Sequence, residues 1–248
     1  MLKYPLSTLL YIAKINIKDT IKDALKLHNN IDVSLTVIVK DKDGKIIKQH
    51  KQHSHSFVSN FLSILASSLA SSTNSMSPNY CYGYYWRITN GDYAAYNAGA
   101  YAVDYLFDLN DSANDSKYGV VVGTGTATPT PNDYALGNQI ANGTGNGQLQ
   151  YNAHLFNPTP QTIGSTANLT TTTTPASGIL PVSGNTTSFQ VSRQFTNQSG
   201  ASITVSEVGL YTNTINGVTL IVHDLLSSPV TVPNLSILQI TYTISVST

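Results

Sequence analysis

The chain has 248 residues and a formal net charge of zero, and 41% of its residues are hydrophobic while only 10% are charged. Soluble domains usually contain about 25% charged residues, and here 27 serines and 29 threonines fill the difference. This hydroxyl-rich composition argues against a soluble cytosolic enzyme, a coiled coil and an acidic disordered tail, and the single cysteine, Cys81, excludes a disulfide framework and a cysteine-rich zinc module.

The charge is unevenly distributed along the chain. Residues 1–51 contain 10 Lys and 5 Asp, a net charge of +5, whereas residues 52–248 contain three cations and eight acidic residues, a net charge of −5. The second part has too few cations to bind nucleic acid through its phosphates, so only the first part is a candidate for that role. We expect neither a membrane-spanning helix nor a secretory signal.

The first predicted element is a helix over residues 6–28. Apolar residues recur there at spacings of three and four, which produces one apolar stripe. Lysines at four-residue spacing form another face, which is either solvated or a docking surface for nucleic acid or lipid head groups. These lysines are Lys14, Lys18, Lys22 and Lys26.

A β-hairpin is predicted over residues 32–48. Its first strand alternates apolar with mainly polar residues, Asp43-Gly44 supplies a turn that accepts positive φ, and Ile46-Ile47 begins the return strand. The alternating apolar residues are Val33, Leu35, Val37 and Val39.

A second helix is predicted over residues 57–71, with Ser56 as its N-cap. Its apolar residues repeat at helical spacing, so we expect them on one buried face. They are Val58, Phe61, Leu62, Leu65 and Leu69.

Residues 73–117 form a tyrosine-rich segment, since eight of the 15 tyrosines and the only tryptophan lie within residues 80–105. Clustered aromatic side chains either pack in a core or subunit interface, or stack on the sugar rings of a host glycan. The candidate residues for glycan or subunit contact are Tyr82, Tyr84, Tyr85 and Trp86.

Residues 118–248 are predicted to be antiparallel β-structure. Short strands at spacings of 8–12 residues favour a β-sandwich of jelly-roll or immunoglobulin-like type. A Thr-rich loop over residues 157–188 is too long for an ordinary connection, so we expect it to be mobile or to wrap a neighbour. One predicted strand alternates through Leu149, Tyr151, Ala153 and Leu155.

The last strands contain two further signals. The apolar residues change parity between Val205 and Val208, so Glu207 is predicted to mark a β-bulge. Pro229 and Pro233 predict an edge segment, because proline has no backbone N–H to donate to a neighbouring strand. A regularly alternating final strand follows.

The sequence contains little that predicts chemistry. His50, His53 and His55 lack a nearby fourth ligand, so they predict a polar entry to the second helix rather than a metal site. Neither a nucleophile elbow nor a P-loop occurs, and Glu207 is the only glutamate. We therefore predict no enzymatic activity, no metal and no cofactor. Four aspartates lack EF-hand spacing, namely Asp104, Asp108, Asp111 and Asp115.

Several short motifs occur in a definite order. They are Val58-Ser59-Asn60-Phe61, Gly123-Thr124-Gly125, Asp133-Tyr134-Ala135-Leu136-Gly137, Ser206-Glu207-Val208-Gly209-Leu210-Tyr211 and Tyr242-Thr243-Ile244. This order resembles structural proteins of tailed phages and archaeal viruses, of the tail, fibre or surface-projection kind. The resemblance covers residues 33–65 and 118–248, and it implies a non-enzymatic part of a virus particle.

The expected function is therefore that of a virion structural protein that self-assembles and is exposed on the particle. Region 1–72 would anchor it, region 73–117 would be variable, and region 118–248 would form the sandwich. Expected partners are copies of itself, other virion proteins and a host-surface glycan or protein, with nucleic acid or lipid contacted only through the basic helix. The alternatives are a cellular extracellular filament or surface-layer subunit, and a carbohydrate-binding adhesin module.

Overall fold

The computed structural model describes residues 30–54, 56–70, 85–94, 108–157, 182–183, 186–214 and 217–247. The predicted helix over residues 6–28, with Lys14, Lys18, Lys22 and Lys26, lies outside these residues. Within the described ranges the protein is mainly β, as predicted, with antiparallel sheets and one helix. That helix is not long and apolar enough to cross a bilayer.

The N-terminal part of the described chain consists of strands β1 (Asn30–Lys40) and β2 (Ile46–His53), followed by helix α1 (Ser59–Ala70). The remaining strands are β3 (Trp86–Arg87), β4 (Tyr93–Ala94), β5 (Gly119–Gly123), β6 (Gln150–Asn157), β7 (Val182–Ser183), β8 (Thr186–Thr196), β9 (Ile203–Thr214), β10 (Gly217–Val232) and β11 (Ile237–Ser247).

The larger sheet has the strand order β2-β1-β11-β8-β6, with β7 paired to β8. The predicted β1–β2 hairpin is confirmed, and β1 also pairs with the last strand, where Leu35 lies opposite Tyr242. Tyr242 in turn lies opposite Val191 of β8. The described strands of region 1–72 therefore share one sheet with strands of region 118–248.

The smaller sheet has the order β10-β9-β5, and β3 and β4 form a separate hairpin. The pairing is irregular beside Glu207, as predicted, but the extra residues belong to β10. Leu225 lies opposite Glu207 and Val230 lies opposite Val205, so the extra residues of β10 fall between Leu225 and Val230. β9 itself is continuous and is buried on both faces over most of its length. Apolar residues of both parities are therefore accommodated without a bulge in β9. The edge position of β10 agrees with Pro229 within it.

The inner faces of both sheets contribute to one hydrophobic core. The alternation predicted for β1 is confirmed, because its four apolar residues are at most 2% exposed. The final strand contributes Leu238, Ile240 and Tyr242, which are fully buried. The core also includes residues of α1, β3, β4, β5, β6, β8, β9 and β10 and of connecting loops.

The second helix begins later than predicted. Phe57 forms a β-bridge with Val222, and the carbonyl of Ser56 accepts the backbone N–H of His223. Ser56 is therefore part of a strand-like contact and is not the N-cap. The buried face of the helix includes Ile64, which is fully buried. Leu62 is 64% exposed, so the predicted burial of Leu62 was wrong.

The alternation predicted for β6 breaks after Tyr151. Tyr151 lies opposite Phe195 but His154 lies opposite Arg193, so β6 contains one extra residue at this point. The bulge reverses the faces of the strand: His154 is buried, whereas Leu155 is 59% exposed. The predicted inward positions of Ala153 and Leu155 were therefore wrong.

The Thr-rich loop predicted over residues 157–188 is shorter at both ends. Asn157 is the last residue of β6, Val182-Ser183 forms β7, and residues 186–188 open β8. Hydrogen bonding to β11 extends as far as Thr186, opposite Ser247. Residues 158–181 lie outside the described part.

Candidate functional site

The motifs around Gly125, Gly137 and Glu207 meet at one buried carboxylate. Glu207 is 1% exposed and accepts the backbone N–H groups of Gly125 at 2.8 Å, Gly137 at 3.0 Å and Asn138 at 2.8 Å. A Cβ on Gly125 would lie 2.6 Å from Cδ of Glu207, so this position requires glycine. The carboxylate thus fixes the connection between β5 and β6 to the smaller sheet at two points.

The imidazole of His223 lies between this carboxylate and Asp133. Its Nε2 is 3.0 Å from Oε2 of Glu207, and its Nδ1 is 2.6 Å from Oδ2 of Asp133. Burial lowers the pKa of His223, but the hydrogen bonds to Glu207 and Asp133 outweigh burial and raise it overall. Burial raises the pKa of Glu207, but His223 and the three backbone N–H groups lower it to about 2. Because both ring nitrogens face carboxylates, the contacts favour the protonated form of the imidazole.

This arrangement favours a structural role for the three side chains. A general base needs a ring nitrogen that faces the substrate proton, and both nitrogens of His223 face carboxylates. Glu207 likewise has each oxygen engaged by two donors. The cluster stabilises loops that connect the strands.

Arg193 forms a second buried cluster between the two sheets. Its guanidinium is fully buried and stands over the ring of Tyr151 at 4.8 Å. Its closest carboxylate is that of Asp111, at 3.9 Å. It also donates to five backbone carbonyl groups, those of Ser112, Asp115, Tyr118, Val120 and Asn152. One side chain therefore holds the segment that precedes β5 against the larger sheet.

His154 completes the Arg193 cluster. Its Nε2 accepts the N–H of Val120 at 2.8 Å, so its Nδ1 carries the proton and donates to the carbonyl of Asp111 at 3.1 Å. Burial, and then the charge of Arg193, lower the pKa of His154 to about 4. The imidazole is therefore neutral at neutral pH.

The stability of the protein is expected to fall as the pH drops from about 6.5 to about 4, because His154 is protonated readily only after unfolding. The contribution of His154 to stability is complete above the pKa that its side chain has in the unfolded chain. It is lost as the pH falls to the pKa of about 4 in the folded protein. The full difference corresponds to about 3 kcal/mol. Urea unfolding across this pH range measures it.

The matched variants for this prediction are H154Q and H53Q. H154Q is expected to be less stable at pH 7, and its free energy of unfolding is expected to depend less steeply on pH, by the equivalent of about one proton. The side chain of His53 is 66% exposed, so H53Q is expected to keep the pH dependence of the native chain. Equal slopes in H154Q and the native chain would contradict the assignment.

Two further polar contacts connect the elements. Asp224 of β10 accepts the hydroxyl groups of Ser54 at 2.7 Å and Tyr242 at 2.9 Å, which joins the two sheets. Asn60 of α1 exchanges hydrogen bonds with the backbone of Arg87, at 2.8 and 3.1 Å, and donates to the carbonyl of Leu220. Asn60 thereby positions the β3–β4 hairpin.

The described histidines and aspartates that were considered as metal ligands have other partners, and Asp104 lies outside the described residues. His50 and His53 lie in β2 rather than at a helix entry, so that prediction was wrong, and His55 is outside the described residues. Asp111 accepts the backbone N–H groups of Ser112 and Tyr118. Within the described ranges, no group of three or more His, Cys, Asp or Glu side chains is arranged to hold a metal ion.

The predicted aromatic patch is only partly described. Tyr82 and Tyr84 lie outside the described residues, Tyr85 is 67% exposed, and Trp86 is 1% exposed in the core. Tyr85 and Trp86 border a cleft of about 370 Å³, the hairpin cleft. Its other lining residues are Ser59, Asn60, Arg87, Tyr93 and Asn132.

An apolar groove of about 500 Å³ lies on another side of the molecule. Its walls include Phe57 and Phe61 near α1, Ile31 of β1 and Phe156 of β6. Asp108 is its only ionisable lining residue among those described. The groove accepts apolar surface but contains no acid–base pair.

The outward face of β8 and β11 is polar except for Ile237 at one end, and it contains no ionisable side chain. We call these nine positions the uncharged face, and none of them is fully buried. Cross-strand hydrogen bonds join Gln190 to Thr243 at 3.2 Å and Gln194 to Gln239 at 3.3 Å. The nine residues are Ser188, Gln190, Ser192, Gln194, Thr196, Gln239, Thr241, Thr243 and Ser245.

No protein-family model matches this chain, and neither a curated protein nor a solved structure matches it.

Sequence reasoning missed the buried ionisable residues. Arg193 lies on the same face of β8 as the buried Val191 and Phe195. A cation that alternates with buried apolar residues was therefore the pattern that could have predicted its burial. His154 was hidden by the bulge in β6. Nothing in the sequence alone pointed to His223 as a partner of Glu207.

Proposed function

We propose that this protein is a structural subunit of a virus particle and assembles with copies of itself through the uncharged face. The observation that carries the proposal is the lack of ionisable side chains at nine neighbouring outward positions. Soluble surfaces usually mix both charge signs, and charged residues are depleted at the centres of protein interfaces. Over these nine positions two such faces approach each other without opposing charges, and the Lys40 ammonium, 3.3 Å from Oε1 of Gln239, lies at their border.

The size of the larger sheet fits this role. Three of its five main strands have 11 residues. Three strands of about 36 Å and two of about 26 Å, at ~4.8 Å spacing, cover about 770 Å². Stable interfaces bury about 800 Å² on each partner. A contact over the whole outward side of the larger sheet would therefore approach the area of a specific interface, with the uncharged face at its centre and Asp32, Lys40 and Lys51 of the neighbouring strands towards one side.

The virus-particle assignment draws on the order of motifs described above and on the buried clusters around them. Two of these motifs contribute two of the three N–H groups that Glu207 accepts, those of Gly125 and Gly137, so these motifs stabilise the fold. In this proposal the two sheets form a β-sandwich of jelly-roll or immunoglobulin-like type, and the basic helix over residues 6–28 anchors the subunit to other virion proteins, nucleic acid or lipid.

Assembly is expected to be abolished by a charge at the centre of the uncharged face. Thr241 lies opposite both Thr36 and Ser192, so T241K places an unpaired ammonium in the interface. Burying such a charge costs several kcal/mol. Sedimentation velocity of the purified chain is expected to show assemblies for the native sequence and monomers for T241K.

The matched control is T204K, which places the same charge at an exposed position of β9 in the smaller sheet. T204K is expected to assemble like the native chain, and native assembly is expected to persist in high salt because screened charges do not hold it together. A monomeric native chain, or T241K that assembles normally, would contradict the proposal.

The alternative of a carbohydrate-binding adhesin module is favoured by one observation, the exposed Tyr85 beside the hairpin cleft. A cellular filament or surface-layer subunit would share the uncharged face, and N-terminal sequencing of the mature protein would separate it from a virion part through export processing.

A further inference from the structure

The β3–β4 hairpin presents two different faces. Trp86 lies opposite Ala94, and both side chains are buried in the core. Arg87 lies opposite Tyr93 on the other face. Because side chains alternate along a strand, Tyr85 shares the face of Arg87. Tyr85 and Tyr93 are 67% and 71% exposed, so two phenol rings flank a guanidinium at the hairpin cleft.

Arg87 differs from the other cations of residues 52–248 that the structure describes. Lys117 pairs with Asp115 at 3.1 Å, and Arg193 is fully buried. The Arg87 guanidinium stacks over Tyr134 at 3.8 Å, and its Nε donates to the carbonyl of Gly91 at 3.3 Å. Among the described residues no carboxylate forms an ion pair with it. The stacked plane keeps the terminal nitrogens in a fixed fork, the geometry that suits a carboxylate.

The rest of the cleft supplies groups for a polar ligand. Ser59 and Asn132, whose side chains carry a hydroxyl and an amide, belong to its lining. Its volume of about 370 Å³ lies within the range of small-molecule sites. The acidic residue of the hairpin turn, Asp92, is hydrogen-bonded to Asn90 and does not line the cleft.

We propose that the hairpin cleft binds an acidic saccharide. The carboxylate of the sugar pairs with the Arg87 guanidinium, the sugar ring lies against Tyr85 or Tyr93, and the hydroxyl groups of the sugar meet Ser59 and Asn132. Aromatic rings with polar neighbours suit a ligand that has both apolar and hydroxylated faces. This proposal does not depend on assembly through the uncharged face.

The test compares two sugars that differ in the carboxylate. Glucuronic acid and glucose are titrated into the 248-residue chain by calorimetry, with N-acetylneuraminic acid as a second acidic probe. An acidic sugar is expected to bind about ten- to a hundredfold more tightly than glucose.

The variants locate the site. R87Q is expected to remove the preference for the acid, R87K to retain part of it, and Y85A and Y93A to weaken binding of both sugar classes. K117Q removes a cation outside the cleft and is expected to bind like the native chain. Equal binding of glucuronic acid and glucose, no binding of either acidic sugar at millimolar concentration, or a preference for an acidic peptide over both would overturn the proposal.

Discussion

Replacing Arg193 with methionine is expected to lower the free energy of unfolding by about 4 kcal/mol. Methionine keeps the apolar stem but removes every donor to the carbonyl groups around it. Each buried acceptor left without a partner costs about 1–3 kcal/mol, although relaxation recovers part of this. Urea denaturation of R193M against the native chain measures the loss.

Two variants make this result interpretable. R193K retains the charge but not the planar fork, so its stability is expected to lie between those of R193M and the native chain. K117M removes an exposed ion pair with Asp115, and a near-native stability is expected. A loss below about 1 kcal/mol in R193M, no larger than that of an ordinary surface substitution, would show that Arg193 is not a central stabilising contact.

Replacing Glu207 with glutamine is expected to destabilise the protein by about 3 kcal/mol. Oε1 accepts the N–H groups of Gly125 and Asn138, and Oε2 accepts that of Gly137 and faces His223. An NH₂ group at the position of Oε1 faces the N–H groups of Gly125 and Asn138, and one at the position of Oε2 faces the N–H group of Gly137, so either placement leaves donors facing each other. The three backbone amides are expected to exchange hydrogen faster, a local effect that NMR detects residue by residue.

Two alanine variants act as a matched pair for the Glu207 contact. A Cβ on Gly125 would collide with the Glu207 carboxylate, whereas a Cβ on Gly137 would lie 3.6 Å from Oε2, an ordinary contact. G125A is thus expected to resemble E207Q, and G137A to remain close to the native stability. Equal effects of the two substitutions would argue against this geometry.

The strands with regular alternation were predictable because one of their faces packs in the core. β1 and β11 are examples, since Leu35 and Tyr242 belong to uninterrupted period-two patterns and lie opposite each other. The pairing of the two strands was not predictable, because periodicity gives the face of a strand but not its neighbour. The larger sheet therefore joins segments that are distant in the sequence.

The errors have local physical causes. One extra residue in β6 moved the side chains after Tyr151 to the opposite face of the sheet. A β-bulge cannot be recognised from the hydrophobic alternation of so short a strand. The helix start was misplaced because Phe57 bridges to Val222 of β10, a contact between segments far apart in sequence. The buried clusters of Arg193 and Glu207 arise from several loops at once, so only tertiary structure reveals them.

Electron cryomicroscopy of the particles formed by the purified 248-residue chain tests the central claim most directly. The proposal predicts ordered assemblies in which the outward side of β8 and β11, with Thr241 near its centre, is covered by another copy. Assemblies that leave this side in solvent in every copy, or isolated single molecules at all concentrations, would contradict it.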